Sequence, residues 1–595
     1  MYGSHKHAPL AARDVGRSTA RRAALGPLAL ALALGATSTA QGLDPDGKVL
    51  DFGKLTAGFG GFAGPLASGD LFGFATASLG DLDGNGIQDV AVGAPGDDDG
   101  GADRGAVWIL FLESGGIVGS QQKISDLAGG LSAGLANNGN FGVSLDGGDV
   151  DGDGRSELVV GTTDERLFVL FLDTDGTVAS EQEIASGTGG FGGAIAPGDG
   201  FGRGVAVIGD VNADGVAEVA AGAPGDDDGG PNRGAVWVLV MNANGTVANQ
   251  GKISSTVGGF GAGLANGDAF GEALAGLEDL DGNGVPELAV GAPDTDGVDF
   301  QVPGPGQPPI PIAAPNEGTV FVLFLNSNGS VASKVEIGED KAGFSSRPFG
   351  GAAFGADLSS TGDLDGNGVG DLIIGVENYA NLAGTVGGFY EVFLEADGTV
   401  ARERLVSDKL AGFRGPLLTS LLIPGDRFVA TAFVGDIDGD CKGDIVVGAA
   451  GDDVAGSSAG ALWILELEGE LQATTEVRNG SGTNALAYSV RNQPRLGRTW
   501  TSEVDVSGHP GATLSILFAS DAPDTVPFAF GEILISLTGE TQFVDTVIPT
   551  GTIATHDILV PLDLALVGYE AFSQGLIGGG AGPELVNAVD LKLGW

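Results

Sequence analysis

One nine-residue pattern returns six times and limits what this chain can become. The copies are DLDGNGIQD from Asp81, DVDGDGRSE from Asp149, DVNADGVAE from Asp210, DLDGNGVPE from Asp279, DLDGNGVGD from Asp363 and DIDGDCKGD from Asp436. They start 61 to 84 residues apart. A long, recurrent period marks supersecondary units that cannot bury their apolar faces alone and must stack. The flanks repeat as well. A Phe-Gly pair precedes five copies (Phe72-Gly73, Phe141-Gly142, Phe201-Gly202, Phe270-Gly271, Phe354-Gly355), and Phe428-Val429 precedes the sixth. An apolar strand follows each copy, as in VAVGAP from Val90, LAVGAP from Leu288 and IVVGAA from Ile445. A second apolar strand then carries an aromatic: Trp108, Phe168, Trp237, Phe321, Phe389 or Trp463.

Each unit reads as three or four short strands, and radial stacking of such units gives a propeller. The stretches before the first copy and after the last together make one further interval. The ring therefore closes at six blades, with a strand near Lys48 to Leu55 completing the last. A seventh blade would have to be built from residues after 470. No helix-period stretch follows the first forty residues, and Gly is 108 of 595, so the fold class is all-β. The expected order is a β-propeller over 44–470 and a small C-terminal β-sandwich over 472–595. There the acidic loops stop and runs such as TLSILFAS from Thr513 and EILISLTG from Glu532 take over.

Hard cations such as calcium take six to eight oxygens, which a tight loop supplies when alternate side chains point inward. Positions 1, 3 and 5 hold Asp or Asn in every copy: Asp81, Asp83, Asn85; Asp149, Asp151, Asp153; Asp210, Asn212, Asp214; Asp279, Asp281, Asn283; Asp363, Asp365, Asn367; Asp436, Asp438, Asp440. Position 9 is Asp89, Glu157, Glu218, Glu287, Asp371 or Asp444, suited to bidentate ligation. Position 7 (Ile87, Arg155, Val216, Val285, Val369, Lys442) offers its backbone carbonyl. An EF-hand starts alike but closes with Glu at position 12 between helices. Here position 12 is apolar: Val92, Val160, Ala221, Val290, Ile374, Val447. Asp, Asn and Gly also favour turns without any ion. Against that, twenty acids crowd into the six turns, and their repulsion calls for neutralisation. The expectation is calcium, up to six ions, bound weakest in the third loop, with Asn212 and Ala213, and in the sixth, with Cys441.

Charge narrows the partners. Seventy-eight acidic against 28 basic residues give −50, which repels nucleic acid and anionic membranes. Arg13, Arg17, Arg21 and Arg22 precede an apolar run from Ala23 to Ala36 and the small residues up to Ala40, the order of an export signal over 1–40. The run is too short to span a bilayer, so a secreted or cell-surface protein is expected. A single cysteine leaves no intrachain disulfide to brace it.

Phe-Gly, the acidic nonapeptide and Gly-Ala-Pro (Gly93-Ala94-Pro95, Gly222-Ala223-Pro224, Gly291-Ala292-Pro293) occur in that order. This resembles the FG-GAP repeat, the blade unit of the integrin alpha-chain propeller and of secreted bacterial proteins, over about residues 44 to 470. The resemblance implies a calcium-binding β-propeller whose loops face ligands. Integrins usually have seven blades, and Gly-Ala-Pro is missing from the second, fifth and sixth copies here.

Three further features bear on function. GDDDG from Gly96 and from Gly225, and GDD from Gly451, read as solvated acidic turns in preference to an outer cation or ligand surface. Residues 294–316 are a Pro-rich insertion, equally a partner contact or a neutral excursion. After the signal the only histidines are His509 and His556, so the propeller has no Ser-His-Asp triad and no His-ligated zinc. The favoured function is a secreted calcium-binding module for adhesion to extracellular protein or polysaccharide. The alternative is a calcium-dependent polysaccharide lyase or hydrolase on the same scaffold. Oligomeric state, ligand identity and the role of the C-terminal part are not readable.

Overall fold

The computed structural model describes residues 49–592, apart from 302–309, 347, 349–350, 382–383, 408–409, 411–421, 423–424, 438–442 and 468–473 in the repeat region. In the C-terminal part, 479–487, 491–498, 508–511, 521–522, 529–530, 536–540, 550–552, 560–569 and 580–583 also lie outside the description. The expected export signal, His509, Asp438, Asp440, Cys441 and Lys442 fall in these excluded stretches.

Six antiparallel four-stranded sheets follow the six sequence repeats. Blade 1 runs through Thr76–Ser78, Val90–Ala94, Ala106–Glu113 and Ile117–Ile124. Blades 2 to 5 repeat this order, and their first strands are Ser144–Gly148, Val205–Gly209, Leu274–Leu277 and Phe354–Gly362. Blade 6 has Phe428–Phe433, Ile445–Ala449 and Ala461–Leu467, and its outer strand is the N-terminal Val49–Leu55. The first strands contact one another in sequence, and that of blade 6 returns to that of blade 1. The ring closes at six, with the N-terminal strand as the closing element, as its sequence position implied.

Second strands are buried on both faces, whereas fourth strands are open along their middle and buried toward their ends. The reason is where the core lies. Among the described residues of the repeat region the buried apolar side chains gather into six clusters, each filling the seam between two neighbouring blades. No blade owns a core of its own, which is the physical meaning of the repeat. All six position-12 residues are fully buried at these seams.

The Phe-Gly pair and the glycine of the second strand are seam chemistry. The Phe72 amide donates to Ala459 O of the preceding blade, and its ring is fully buried. Gly73 has φ +86°, and a Cβ there would meet Ala461 O at 2.4 Å. A Cβ on Gly448, in the second strand of blade 6, would meet Gly73 O at 1.9 Å. The two glycines let neighbouring backbones touch.

Sheet register sorts these aromatics by face. Val92 pairs with Trp108, Val160 with Phe168, Ala221 with Trp237, Val290 with Phe321 and Val447 with Trp463. In blade 5 Ile374 pairs with Tyr390, and Phe389 sits one step away opposite Gly375. Tyr390 therefore takes the repeated place, packed at 5.2 Å on Phe344 and 5.8 Å on Phe354, while Phe389 faces the next seam. One residue of shift reverses the face.

The Pro-rich insertion contains a hairpin, Gly297–Gln301 paired with Ile310–Ala314. After residue 472 the described strands form a five-stranded and a three-stranded sheet, with a separate two-stranded hairpin. Buried polar pairs join the two larger sheets: Tyr488 Oη to Ser573 Oγ at 2.8 Å, and Ser515 Oγ to His556 Nε2 at 2.9 Å. The all-β expectation holds throughout the described residues, and no helix among them is long and apolar enough to cross a membrane.

Candidate metal centres

Each nonapeptide links the first strand of its blade to the second, and the carboxylates at positions 1 and 3 bind amides within the loop. Asp81 organises the first loop: Oδ1 accepts from the Gly84 and Asn85 amides, and Oδ2 from that of Gly86 at 2.8 Å. Asp149 and Asp363 do the same in loops 2 and 5. Asp279 makes the last two of these bonds in loop 4. Asp83, Asp151, Asp281 and Asp365 each take the position-5 amide. These turns hold the carboxylates in a ring of small radius.

In four of the loops three carboxylates lie close together. Ligand oxygens of Asp81, Asp83 and Asp89 lie within 4.8 Å of one another. The same holds for Asp149, Asp151 and Glu157, for Asp279, Asp281 and Glu287, and for Asp363, Asp365 and Asp371. In each trio the ninth residue is buried at the base while its partners face outward. This donor set, all oxygen and multiply anionic, suits a hard divalent cation. One atom tests the fit directly. Glu287 Oε1 is buried and accepts no hydrogen bond, a costly state that a cation between Glu287, Asp279 and Asp281 would relieve.

The position-5 and position-7 side chains partly turn aside. Asn85 Nδ2 donates to Leu112 O and Asn367 Nδ2 to Leu394 O, both at 2.9 Å, while the Arg155 guanidinium donates to Leu172 O. Asn85 Oδ1, Asp153 Oδ1 and Asn283 Oδ1 accept the position-7 amides of Ile87, Arg155 and Val285. Val369 N donates to Asn367 Oδ1 in the same way.

Position 9 has a second duty that its spacing did not reveal. Asp89 Oδ2 accepts the Leu82 amide at 2.8 Å, and its Oδ1 accepts the amide of Leu112 on the third strand at 3.0 Å. Asp371 and Asp444 bind the Leu394 and Leu467 amides identically. Glu157, Glu218 and Glu287 keep the near contact, to Val150, Val211 and Leu280. Burial pushes the Asp89 carboxyl up to about 6, against the pull of its amide donors. Burial likewise carries Glu157, Glu218, Glu287 and Asp371 up to about 7.

The third loop differs. Asn212 turns its amide onto Glu218 Oε1 at 2.7 Å, and Ala213 is held at φ +61° where loops 1, 2, 4 and 5 have glycine. Asp210 still accepts the Asp214 and Gly215 amides, and Asp214 that of Val216. In the sixth loop Asp436 is exposed and Asp444 buried, and the remaining candidate ligands lie outside the described residues.

The GDD turns are not simply solvated, which corrects their reading. Asp97 is buried, and the Lys123 ammonium reaches Asp97 at 2.7 Å and Asp99 at 2.8 Å from a position 5.5 Å above the Trp108 ring. Lys252 does the same for Asp226, Asp228 and Trp237. In blade 6 the lysine is Lys54 of the N-terminal strand, paired with Asp452 above Trp463. A sequence signal existed: blades 1, 3 and 6 alone combine GDD, Trp and a cross-strand Lys. A second missed residue is the aspartate two places before Phe in Asp70, Asp199 and Asp268, buried and capping the amides of Ala67, Ala196 and Ala265.

Comparison with known proteins agrees with this architecture. The FG-GAP repeat family matches residues 72–110, 141–179 and 201–239, which fall in blades 1, 2 and 3. The chain is 31% identical over 243 residues to integrin alpha pat-2 of Caenorhabditis elegans, covering 38% of this chain and 18% of that protein. It is 31% identical over 234 residues to integrin alpha-PS2 of Drosophila melanogaster, covering 37% and 15%. It is 34% identical over 170 residues to human integrin alpha-IIb, covering 26% and 14%. The chain carries FG-GAP repeats on a β-propeller and is similar there to integrin alpha chains. It spans less than a fifth of the length of these relatives.

Proposed function

We propose that this chain is an exported, calcium-stabilised β-propeller that serves as an adhesion module for an extracellular protein or polysaccharide. The similarity to integrin alpha chains supports an adhesion-like propeller. The cation reading rests chiefly on the Glu287 oxygen, buried without a hydrogen bond beside Asp279 and Asp281. Calcium fits because every donor is oxygen and the loops are anionic enough to repel their own closure. A cation that binds only the folded ring adds to its stability in proportion to the logarithm of its concentration. Beyond the loops, the acidic surface and the export signal read from the sequence favour a partner met outside the cell.

The test has two arms. Thermal unfolding with calcium and then with chelator is expected to show a clear fall in Tm on chelation; equal curves overturn the calcium reading. Binding to arrayed extracellular glycans and matrix proteins, followed by assay for released reducing or unsaturated ends, separates adhesion from catalysis. Retention without product supports the adhesion module, and product overturns it.

A further inference from the structure

Loops 2 and 3 touch, and the touching atoms sit one residue away from candidate ligands on both sides. The Ala217 amide of loop 3 donates to Val150 O of loop 2 at 3.0 Å. The Val150 amide in turn donates to Glu157 Oε2 at 2.8 Å, and Ala217 adjoins Glu218. One residue, Val150, thus joins the position-9 carboxylate of loop 2 to the residue preceding that of loop 3. Val150 and Ala217 are both buried, so water does not compete for this bond.

A second contact lies at the loop tips. Gly152 has φ +81°, and a Cβ there would meet Gly215 O at 2.4 Å. The Gly152 amide donates to Asp149 Oδ1 and the Gly215 amide to Asp210 Oδ2, both at 2.8 Å. At the same position of loops 1, 4 and 5, Gly84, Gly282 and Gly366 have nothing within 4 Å of a Cβ. Loop 4 also carries Pro286 where loop 3 has Ala217, and a proline has no amide to give. The close approach of loops 2 and 3 is therefore no requirement of the repeat.

We propose that loops 2 and 3 form one coupled cation unit, in which closure of loop 2 on a divalent cation shapes loop 3 and raises its affinity for a second. This coupling rests on the calcium reading of the loops. Loop 3 is the one that gains, since Asn212 replaces a carboxylate and Ala213 is held at φ +61°. When Glu157 is fixed against Asp149 and Asp151, Val150 is fixed with it, and so is the amide of Ala217 beside Glu218. Asp149 fixes Gly152 in the same way, and through it the Gly215 peptide that Asp210 holds. Order imposed on loop 3 by loop 2 need not be imposed again on binding, which gives positive coupling without a large movement. Filling loop 2 also weakens the negative potential at loop 3, but salt screens that effect between exposed carboxylates and does not screen backbone contact.

Hydrogen exchange of the full chain across a calcium titration, read by mass spectrometry on peptides covering loops 2, 3 and 4, tests this. Glu157→Gln keeps an acceptor for the Val150 amide but removes a charge from loop 2. It is expected to raise the calcium midpoints of loops 2 and 3 by at least about fivefold and to leave loop 4 unchanged. Glu218→Gln in loop 3 is expected to raise the midpoint of loop 2 by a similar factor, as reciprocity of binding requires. Ala217→Pro removes the linking amide and no ligand, as Pro286 does in loop 4, and on that background the cross-effects are expected to vanish. Variants that each move only their own loop refute the coupling, and so does a loop 3 that ignores calcium while loops 2 and 4 respond; the calcium reading survives both results. Cross-effects of undiminished size in Ala217→Pro refute the assignment to the Val150 contact. Should Ala217→Pro fail to fold, Glu157→Gln and Glu218→Gln decide between them. A chain in which no loop responds to calcium overturns the calcium reading itself, and the coupling with it.

Discussion

Asp89 Oδ1 accepts the Leu112 amide at 3.0 Å, so the last residue of the first acidic loop grips a strand 23 positions further along the chain. The other oxygen holds Leu82. One carboxylate thus closes the loop, anchors the third strand and faces the cation position.

Asp81 and Asp89 should consequently fail in different ways. Asp89→Ala strands two buried amides, each costing about 1–3 kcal/mol, and is expected to lower stability with calcium and with chelator alike. Asp81→Ala loosens an exposed turn and removes a ligand, so its deficit should show mainly in calcium. Melting curves of both variants in both conditions check this; equal deficits would contradict the dual role of Asp89.

The dependence of stability on pH should itself depend on calcium. The folded pKa values of Asp89, Glu157, Glu218, Glu287 and Asp371 lie above their usual range. Between about pH 4 and about pH 7 the folded state then binds more protons than the unfolded one, and stability falls as pH rises. Calcium favours the ionised form and offsets that loss. Chelated protein is expected to melt lower at about pH 8 than at about pH 5, with the calcium-dependent gap widening over the same range. A gap that narrows toward higher pH would refute the assignment.

Ring closure should lean on Lys54. Its ammonium pairs with buried Asp452 and stands 5.1 Å from the Trp463 ring centre. Lys54→Met keeps the stem but leaves Asp452 unpaired, and is expected to cost about 1–3 kcal/mol, discounted because the ammonium is partly exposed. Adding Asp452→Asn should recover part of the loss. Additive losses in a double-mutant cycle would show that the pair is not coupled.

The third loop can be repaired. Ala213→Gly removes a left-handed alanine and is expected to stabilise by about 1 kcal/mol even in chelator. Asn212→Asp frees Glu218 Oε1 from the amide and supplies a further carboxylate, so calcium bound in equilibrium dialysis should rise in the double variant. Unchanged stoichiometry would show that Asn212 is not what sets this loop apart.

Much of this was legible because the repeat states its own register. The acids at positions 1, 3 and 9 and the apolar residue at 12 fixed the loop, the strand after it and the face that strand buries. Counting intervals placed the N-terminal strand in blade 6. What escaped depended on partners outside the period. Lys54 and Asp452 are 398 residues apart, and nothing local couples them. Phe389 and Tyr390 are adjacent aromatics, and only the pairing with Ile374 decides between them. The grip of Asp89 on Leu112 depends on where the third strand lies, which the nonapeptide does not encode.

The pairing of Val49–Leu55 with Ala461–Leu467 also has a kinetic consequence. Synthesis delivers the closing strand ahead of the other blade strands and its partner at the end of the repeat region, so the edge must stay unpaired while some four hundred residues accumulate. Until then both flanks of the growing arc carry greasy, unmatched surfaces, and contacts so distant along the chain form slowly. Maturation of this molecule is thus governed by how long an incomplete arc survives without sticking to its neighbours.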